Sequence, residues 1–116
     1  MNLYHVMIDL KDDAKALVFA KALDEWLRYL QGAGKIGPWR LMRRKLGLAS
    51  LEHGDFLLEI EVDRMTQLDD AFRHVSGHSD EVERLYYPVH SMIASARYGL
   101  YRPFPDEERA ERVALL

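Results

Sequence analysis

The sequence contains no cysteine. This absence excludes disulfide bonds, thiolate zinc sites, iron–sulfur clusters and a cysteine nucleophile. No apolar run approaches the roughly 18 residues that indicate a membrane-spanning helix. The N-terminal segment, MNLYHVMIDL, lacks the basic start, the apolar core and the small-residue cleavage site of a signal peptide. We therefore expect a protein that does not associate with membranes and that resides in the cytoplasm.

The sequence also lacks a large excess of either positive or negative charge. The 16 basic residues are balanced by 19 acidic ones, so the formal net charge at pH 7 is −3. Alternation along a strand would divide the one basic cluster between two faces; its members are Arg40, Arg43, Arg44 and Lys45. These features argue against a nucleic acid as a partner. A length of 116 residues fits a single domain with one hydrophobic core.

Hydrophobic periodicity predicts four strands and two helical regions. The strands are expected at residues 3–10, 39–48, 56–62 and 95–102. The first helix is expected at 14–31. The second begins at Thr66, weakens at Gly77 and restarts at Asp80, and Pro88 follows its last apolar residue.

The element order βαββαβ is that of a ferredoxin-like α+β domain, which we expect at residues 1–104, with a short amphipathic tail at 105–116. In this fold, a four-stranded antiparallel sheet of order 4-1-3-2 carries both helices on one face. The other face mixes apolar and charged residues, namely Leu57, Glu59, Glu61, Arg97 and Tyr101. In a monomer, the apolar residues of this face would form an exposed patch. We therefore expect a homodimer that packs sheet against sheet.

Histidines are the main candidates for chemistry, and the chain has five: His5, His53, His74, His78 and His90. His74 and His78 have a spacing that can chelate a metal on a helix, but a metal site normally needs a third protein ligand. The glycines of 32–37 follow a helix, so they do not form a phosphate-binding loop. We therefore expect neither a metal nor a cofactor. His5 lies mid-strand among apolar neighbours, which is compatible with a structural or a functional role.

Several short segments resemble the stress-responsive dimeric α/β-barrel proteins. These segments are His5-Val6 in the first strand, the stretch from Phe72 to Val89, and Tyr101-Arg102-Pro103 in the last strand. The resemblance implies a dimer whose two sheets close into a barrel, with a small apolar cavity between the sheet and the helices of each subunit. Most such proteins have no assigned reaction. Some members of the wider superfamily are monooxygenases, and at least one cyclises a polyketide.

The resemblance also implies two catalytic positions. The polyketide cyclase uses a histidine on the first strand and another on the second helix, which correspond to His5 and His78 in this sequence. The family usually has His-Pro-x-His in that helix. Here His74 and His78 are separated by Val-Ser-Gly, so both the spacing and the proline differ.

Two orientations of the first strand remain open. The even-numbered residues form its more apolar face, namely Tyr4, Val6, Ile8 and Leu10. By alternation, this face would meet the helices and turn His5 toward the partner subunit. The resemblance instead turns His5 toward the helices, and we adopt this second orientation. It predicts one cavity that His5 and His78 share as catalytic residues and that Trp26 and Tyr98 line as ligand contacts.

Two functions follow from these features. In the first, the cavity binds or transforms a small, largely apolar molecule by histidine acid–base chemistry. In the second, the protein is a non-catalytic dimeric module that is structural or contacts a partner. A metal-dependent enzyme is a third possibility, for which the sequence supplies no complete ligand set.

Overall fold

The computed structural model describes residues 1–48, 50 and 52–106. Its elements in chain order are β1 (Asn2–Leu10), α1 (Ala16–Gly32), β2 (Trp39–Arg43), β3 (Phe56–Val62), α2 (Met65–Ser76), α3 (Asp80–Met92) and β4 (Ile93–Tyr101). The ferredoxin-like α+β fold is confirmed, with the second helical region divided into α2 and α3. Most of the predicted tail lies outside the described residues. None of the helices in the described ranges has the length and hydrophobicity needed to span a bilayer.

The strands form one antiparallel sheet in the order β2-β3-β1-β4. This is the predicted order 4-1-3-2, read from the opposite edge. β1 is central, so that Val6 is paired with Leu58 of β3 on one side and with Tyr98 of β4 on the other. β2 is shorter than predicted, because its pairing with β3 ends at Arg43 opposite Phe56.

One face of the sheet carries the hydrophobic core. Alternate residues of β3 are buried on this face: Phe56, Leu58, Ile60 and Val62. α1 and α3 pack together over this face, and their most deeply buried residues are Phe19 and Val82, both 0% exposed. In the described part of the chain, the other face of the sheet carries no helix. The fold therefore has two layers, with the sheet covered on one side.

The break between α2 and α3 lies at the predicted weak point. α2 ends at Ser76, and the backbone of His78 then enters the left-handed region with φ at 51°, which is uncommon for residues other than glycine. Ser79 begins the next helix, because its hydroxyl accepts a hydrogen bond from the Val82 N–H at 3.3 Å. The chain therefore starts a new helix instead of continuing the old one.

α3 extends beyond its predicted end and includes Pro88. Proline lacks an N–H group and usually disrupts a helix interior. Here the helix continues to Met92, and Val89 remains in the core with 5% exposure. The extension places His90 one helical turn after Tyr86 on the same helix.

The connection between β2 and β3 packs closely against the central strand at Gly54. A Cβ atom at this residue would lie 2.9 Å from the Ile8 carbonyl oxygen and 3.1 Å from the Ile8 nitrogen. The next residue is held as well, since the Asp55 N–H donates to Asp9 Oδ1 at 3.0 Å. Glycine is required here by the close approach of two backbones.

We predict opposite effects for two glycine substitutions. Gly54→Ala should lower the free energy of unfolding by about 1–3 kcal/mol, because the methyl group must displace the backbone of β1. Gly32→Ala should leave stability unchanged or raise it by about 0.5–1 kcal/mol, since a Cβ there meets no atom within 4 Å. Urea unfolding measured by circular dichroism compares the two proteins. A Gly54→Ala protein as stable as the wild type would contradict the close packing.

Candidate ligand cavity

A cavity of about 410 Å³ lies between the sheet and the helices. Its walls come from β1, β3, β4 and all three described helices, and they include Val6, Leu58, Leu30, Leu68 and Val89. Two wall positions are occupied by small residues, Ala71 of α2 and Ala96 of β4. The cavity therefore exists where the core side chains leave the space between the two layers unfilled.

Among the described residues that line the cavity, four carry a hydroxyl or imidazole group, and we call them the phenolic edge: Tyr4, Tyr86, His90 and Tyr98. The Tyr4 and Tyr98 rings stack with centroids 5.9 Å apart and 26° between their planes. On α3, the Tyr86 hydroxyl lies 3.3 Å from His90 Nδ1. Tyr98 is 66% exposed, whereas Tyr4 is partly buried. The phenolic edge is therefore the side of the cavity that faces solvent.

Burial changes the ionisation of this edge. The pKa of Tyr4 is raised from 10.0 to about 12, first by burial and then by the neighbouring Tyr98 and Tyr86. The pKa of Tyr86 is also raised, by burial, by Tyr98 and by the Glu83 carboxylate. Both phenols are therefore protonated at neutral pH, and a protonated phenol can donate a hydrogen bond. The edge offers hydrogen-bond donors to an oxygen atom of a ligand.

Trp26 forms part of the cavity wall and is 6% exposed. Its ring meets Tyr86 at 5.5 Å and stacks with Tyr29 at 5.9 Å. The Tyr29 hydroxyl lies 2.6 Å from His74 Nε2, which ties α1 to α2. Trp26 and Tyr98 thus line the same cavity, and contact of either with a ligand stays a prediction.

His5 lies on the opposite face of the sheet from this cavity. The even-numbered residues of β1 from Tyr4 to Ile8 line the cavity, so the odd-numbered ones point away from the helices. The His5 ring lies edge-on to Tyr101, with centroids 5.7 Å apart, and lines a separate concavity of about 600 Å³. The orientation that the resemblance implied is wrong, because the more apolar face of β1 packs against the helices.

His78 does not line the cavity either. It lies in the turn after α2, where it is exposed and its Nδ1 is 2.8 Å from Glu83 Oε1. The helix break at Gly77 removes His78 from the inward face of α2. A single cavity shared by His5 and His78 is therefore not formed by the described residues, and that prediction is wrong. A catalytic role for either imidazole on its own stays a prediction.

The spacing of His74 and His78 does not create a chelating pair. The His74 ring is hydrogen-bonded to the Tyr29 hydroxyl, and the His78 ring is hydrogen-bonded to the Glu83 carboxylate. Within residues 1–48, 50 and 52–106, no group of three or more His, Asp or Glu side chains is placed to hold a metal ion.

Three residues of the phenolic edge had no predicted role in the site: Tyr4, Tyr86 and His90. The alternation of β1 already placed Tyr4 on the same face as Val6. Tyr86 and His90 are four residues apart, which brings two side chains together on a helix. A helix that ends before Pro88, as the sequence predicts, does not contain this pair.

The fold and the cavity define the class of the protein. It is a ferredoxin-like α+β protein whose sheet and helices enclose an apolar cavity with a phenolic edge. The chain belongs to a family of unknown function, DUF6614, which matches residues 1–116. A comparison with proteins of curated function finds none that matches the sequence.

Several solved structures share the fold. A protein from Arabidopsis thaliana is similar with a TM-score of 0.70 at 7% identity, covering 89% of this chain and 95% of that chain. A dabb-family protein from Mesorhizobium loti has a TM-score of 0.62 at 14% identity, with coverages of 88% and 95%. A dimeric protein of unknown function from Bacteroides fragilis has a TM-score of 0.58 at 15% identity, with coverages of 86% and 93%. The resemblance to the dimeric α/β-barrel proteins is thus confirmed as a likeness of fold.

An alkaline titration tests the environment of Tyr4. We predict a phenol that ionises near pH 12 in the ultraviolet absorbance of the wild type and is missing in Tyr4→Phe. The pKa of Tyr4 in the folded protein lies above the unfolded value of 10.0. The contribution of Tyr4 to stability is therefore complete below pH 10 and is lost as the pH rises toward 12. Stability above pH 10 should therefore fall more steeply in the wild type than in Tyr4→Phe. The free energy of unfolding is measured with urea at several pH values. If it falls equally with pH in both proteins, the environment described for Tyr4 is wrong.

Proposed function

We propose that this protein binds a small, largely apolar molecule in the cavity between its sheet and its helices. The observation that carries the proposal is the cavity of about 410 Å³, whose described lining is apolar except at the phenolic edge. Cavities of roughly 300–1,000 Å³ with apolar walls and a few polar groups are typical of small-molecule sites. The apolar body of a ligand would lie against Trp26, and its polar end would meet Tyr98 and the other residues of the edge.

Any acid–base chemistry on the bound molecule would use the imidazole that lines the cavity. His90 meets this condition, and its Nδ1 is within 3.3 Å of the Tyr86 hydroxyl. A phenol and an imidazole at this separation can exchange a proton with a ligand at the same edge. His5 and His78 lie outside the cavity, so we propose no joint role for them.

Filling the cavity should prevent binding of a neutral fluorescent probe, N-phenyl-1-naphthylamine. Ala96→Phe places a ring in the cavity wall, and Ala94→Phe is the control because Ala94 is exposed and outside the lining. We expect probe fluorescence to rise with similar affinity in the wild type and the control, and affinity to fall about tenfold or more in Ala96→Phe.

Circular dichroism establishes that both variants are folded. A folded Ala96→Phe protein with wild-type affinity, or a wild type that binds no probe, would contradict the proposed function.

We also propose that the protein forms a homodimer through the helix-free face of its sheet. This face has a concavity of about 600 Å³ whose lining includes Met7, Leu57 and Tyr101, and Tyr101 is 59% exposed. Arg40 and Glu59 pair on the same face at 2.7 Å, so the apolar residues are the ones that need a partner. The Bacteroides fragilis protein of similar fold is dimeric. The same dimer would serve the alternative function, a non-catalytic module.

Leu57→Asp should weaken the dimer, because it buries an unpaired carboxylate in the interface. Leu17→Asp is the control, since Leu17 is 86% exposed on α1. At tens of micromolar protein, light scattering should give a dimer mass for the wild type and the control, and a mass nearer the monomer value of 13.5 kDa for Leu57→Asp. A wild type that is monomeric at this concentration would contradict the proposed dimer.

A further inference from the structure

The Tyr4 hydroxyl has an unused capacity for hydrogen bonding. Within residues 1–48, 50 and 52–106, no group forms a hydrogen bond with it. The ring itself is held on two sides, because it stacks with Tyr98 and meets the Phe72 ring at 5.9 Å and 80°. Because this edge faces solvent, water can bind the hydroxyl, and a ligand that enters the cavity displaces that water. An acceptor atom on the ligand would then restore the lost hydrogen bond.

In its described lining, the cavity also offers an anion no counter-ion other than His90. Its lining in the described part of the chain includes no Asp, Glu, Lys or Arg side chain. Where the imidazole is neutral, a charged ligand group would therefore lose its hydration without gaining a counter-ion, which is costly in an apolar site. The Glu83 carboxylate is the smallest of three causes that raise the pKa of Tyr86, so the field at the phenolic edge is also slightly unfavourable to an anion.

We propose that the cavity selects neutral apolar molecules carrying a hydrogen-bond-accepting oxygen, such as ketones, and that the Tyr4 hydroxyl donates to this oxygen. This inference rests on the proposed function, because it concerns the same cavity. Carboxylates of the same size are disfavoured by desolvation, and hydrocarbons bind without using Tyr4. Tyr4 is thus a residue that determines which ligands bind.

Three probes of similar size separate these possibilities: acetophenone, ethylbenzene and benzoate. Their affinities are measured at about pH 8, where an ordinary imidazole is neutral, by nuclear magnetic resonance titration of the wild type, Tyr4→Phe and Tyr87→Phe. Tyr87 is the control because it is 66% exposed and does not line the cavity.

We expect Tyr4→Phe to weaken acetophenone binding about 3- to 10-fold while changing ethylbenzene binding by less than about twofold. Tyr87→Phe should change neither affinity. In the wild type, benzoate should bind at least about tenfold more weakly than acetophenone.

The outcomes distinguish this inference from the proposed function. If no probe binds the wild type, both are overturned. If ethylbenzene and acetophenone bind and Tyr4→Phe weakens them equally or not at all, the role of Tyr4 is wrong although the proposed function stands. If benzoate binds as tightly as acetophenone, the selection for neutral molecules is wrong.

Discussion

β1 is hydrogen-bonded to β3 along one side and to β4 along the other. A one-residue slip of this central strand would exchange its two faces, so that Val6 and Ile8 would leave the core. This register directs Tyr4, Val6 and Ile8 toward the helices and leaves His5 and Met7 on the other face. The cavity, its phenolic edge and the exposed concavity all depend on it.

The phenolic edge requires that three elements meet. β1 supplies Tyr4, β4 supplies Tyr98 by pairing beside it, and α3 supplies Tyr86 and His90 because the helix continues through Pro88. Phenols suit this position, since a neutral hydroxyl can be partly buried at far lower cost than a charge. The chemistry of the site is therefore that of hydrogen-bond donation at the boundary between an apolar cavity and water.

Most of the fold was predictable because local patterns agreed with tertiary packing. β3 alternates cleanly, so its buried residues and its place in the sheet follow from the sequence. β1 is apolar on both faces, and its residues alone could not decide which way His5 points. The end of α3 was mispredicted because a local rule about Pro88 competes with burial of Val89, which only the packed structure reveals. His78 was misplaced for a similar reason, since the turn after Gly77 decides its position.

We propose that ligands bind between the sheet and the helices and not on the helix-free face. Intermolecular nuclear Overhauser effects between N-phenyl-1-naphthylamine and assigned protein methyl groups test this most directly. Binding in the cavity predicts contacts to methyl groups of the cavity wall, such as those of Leu30, Leu58 and Val89. Contacts confined to Met7 and Leu57, which line the concavity on the opposite face, would contradict it.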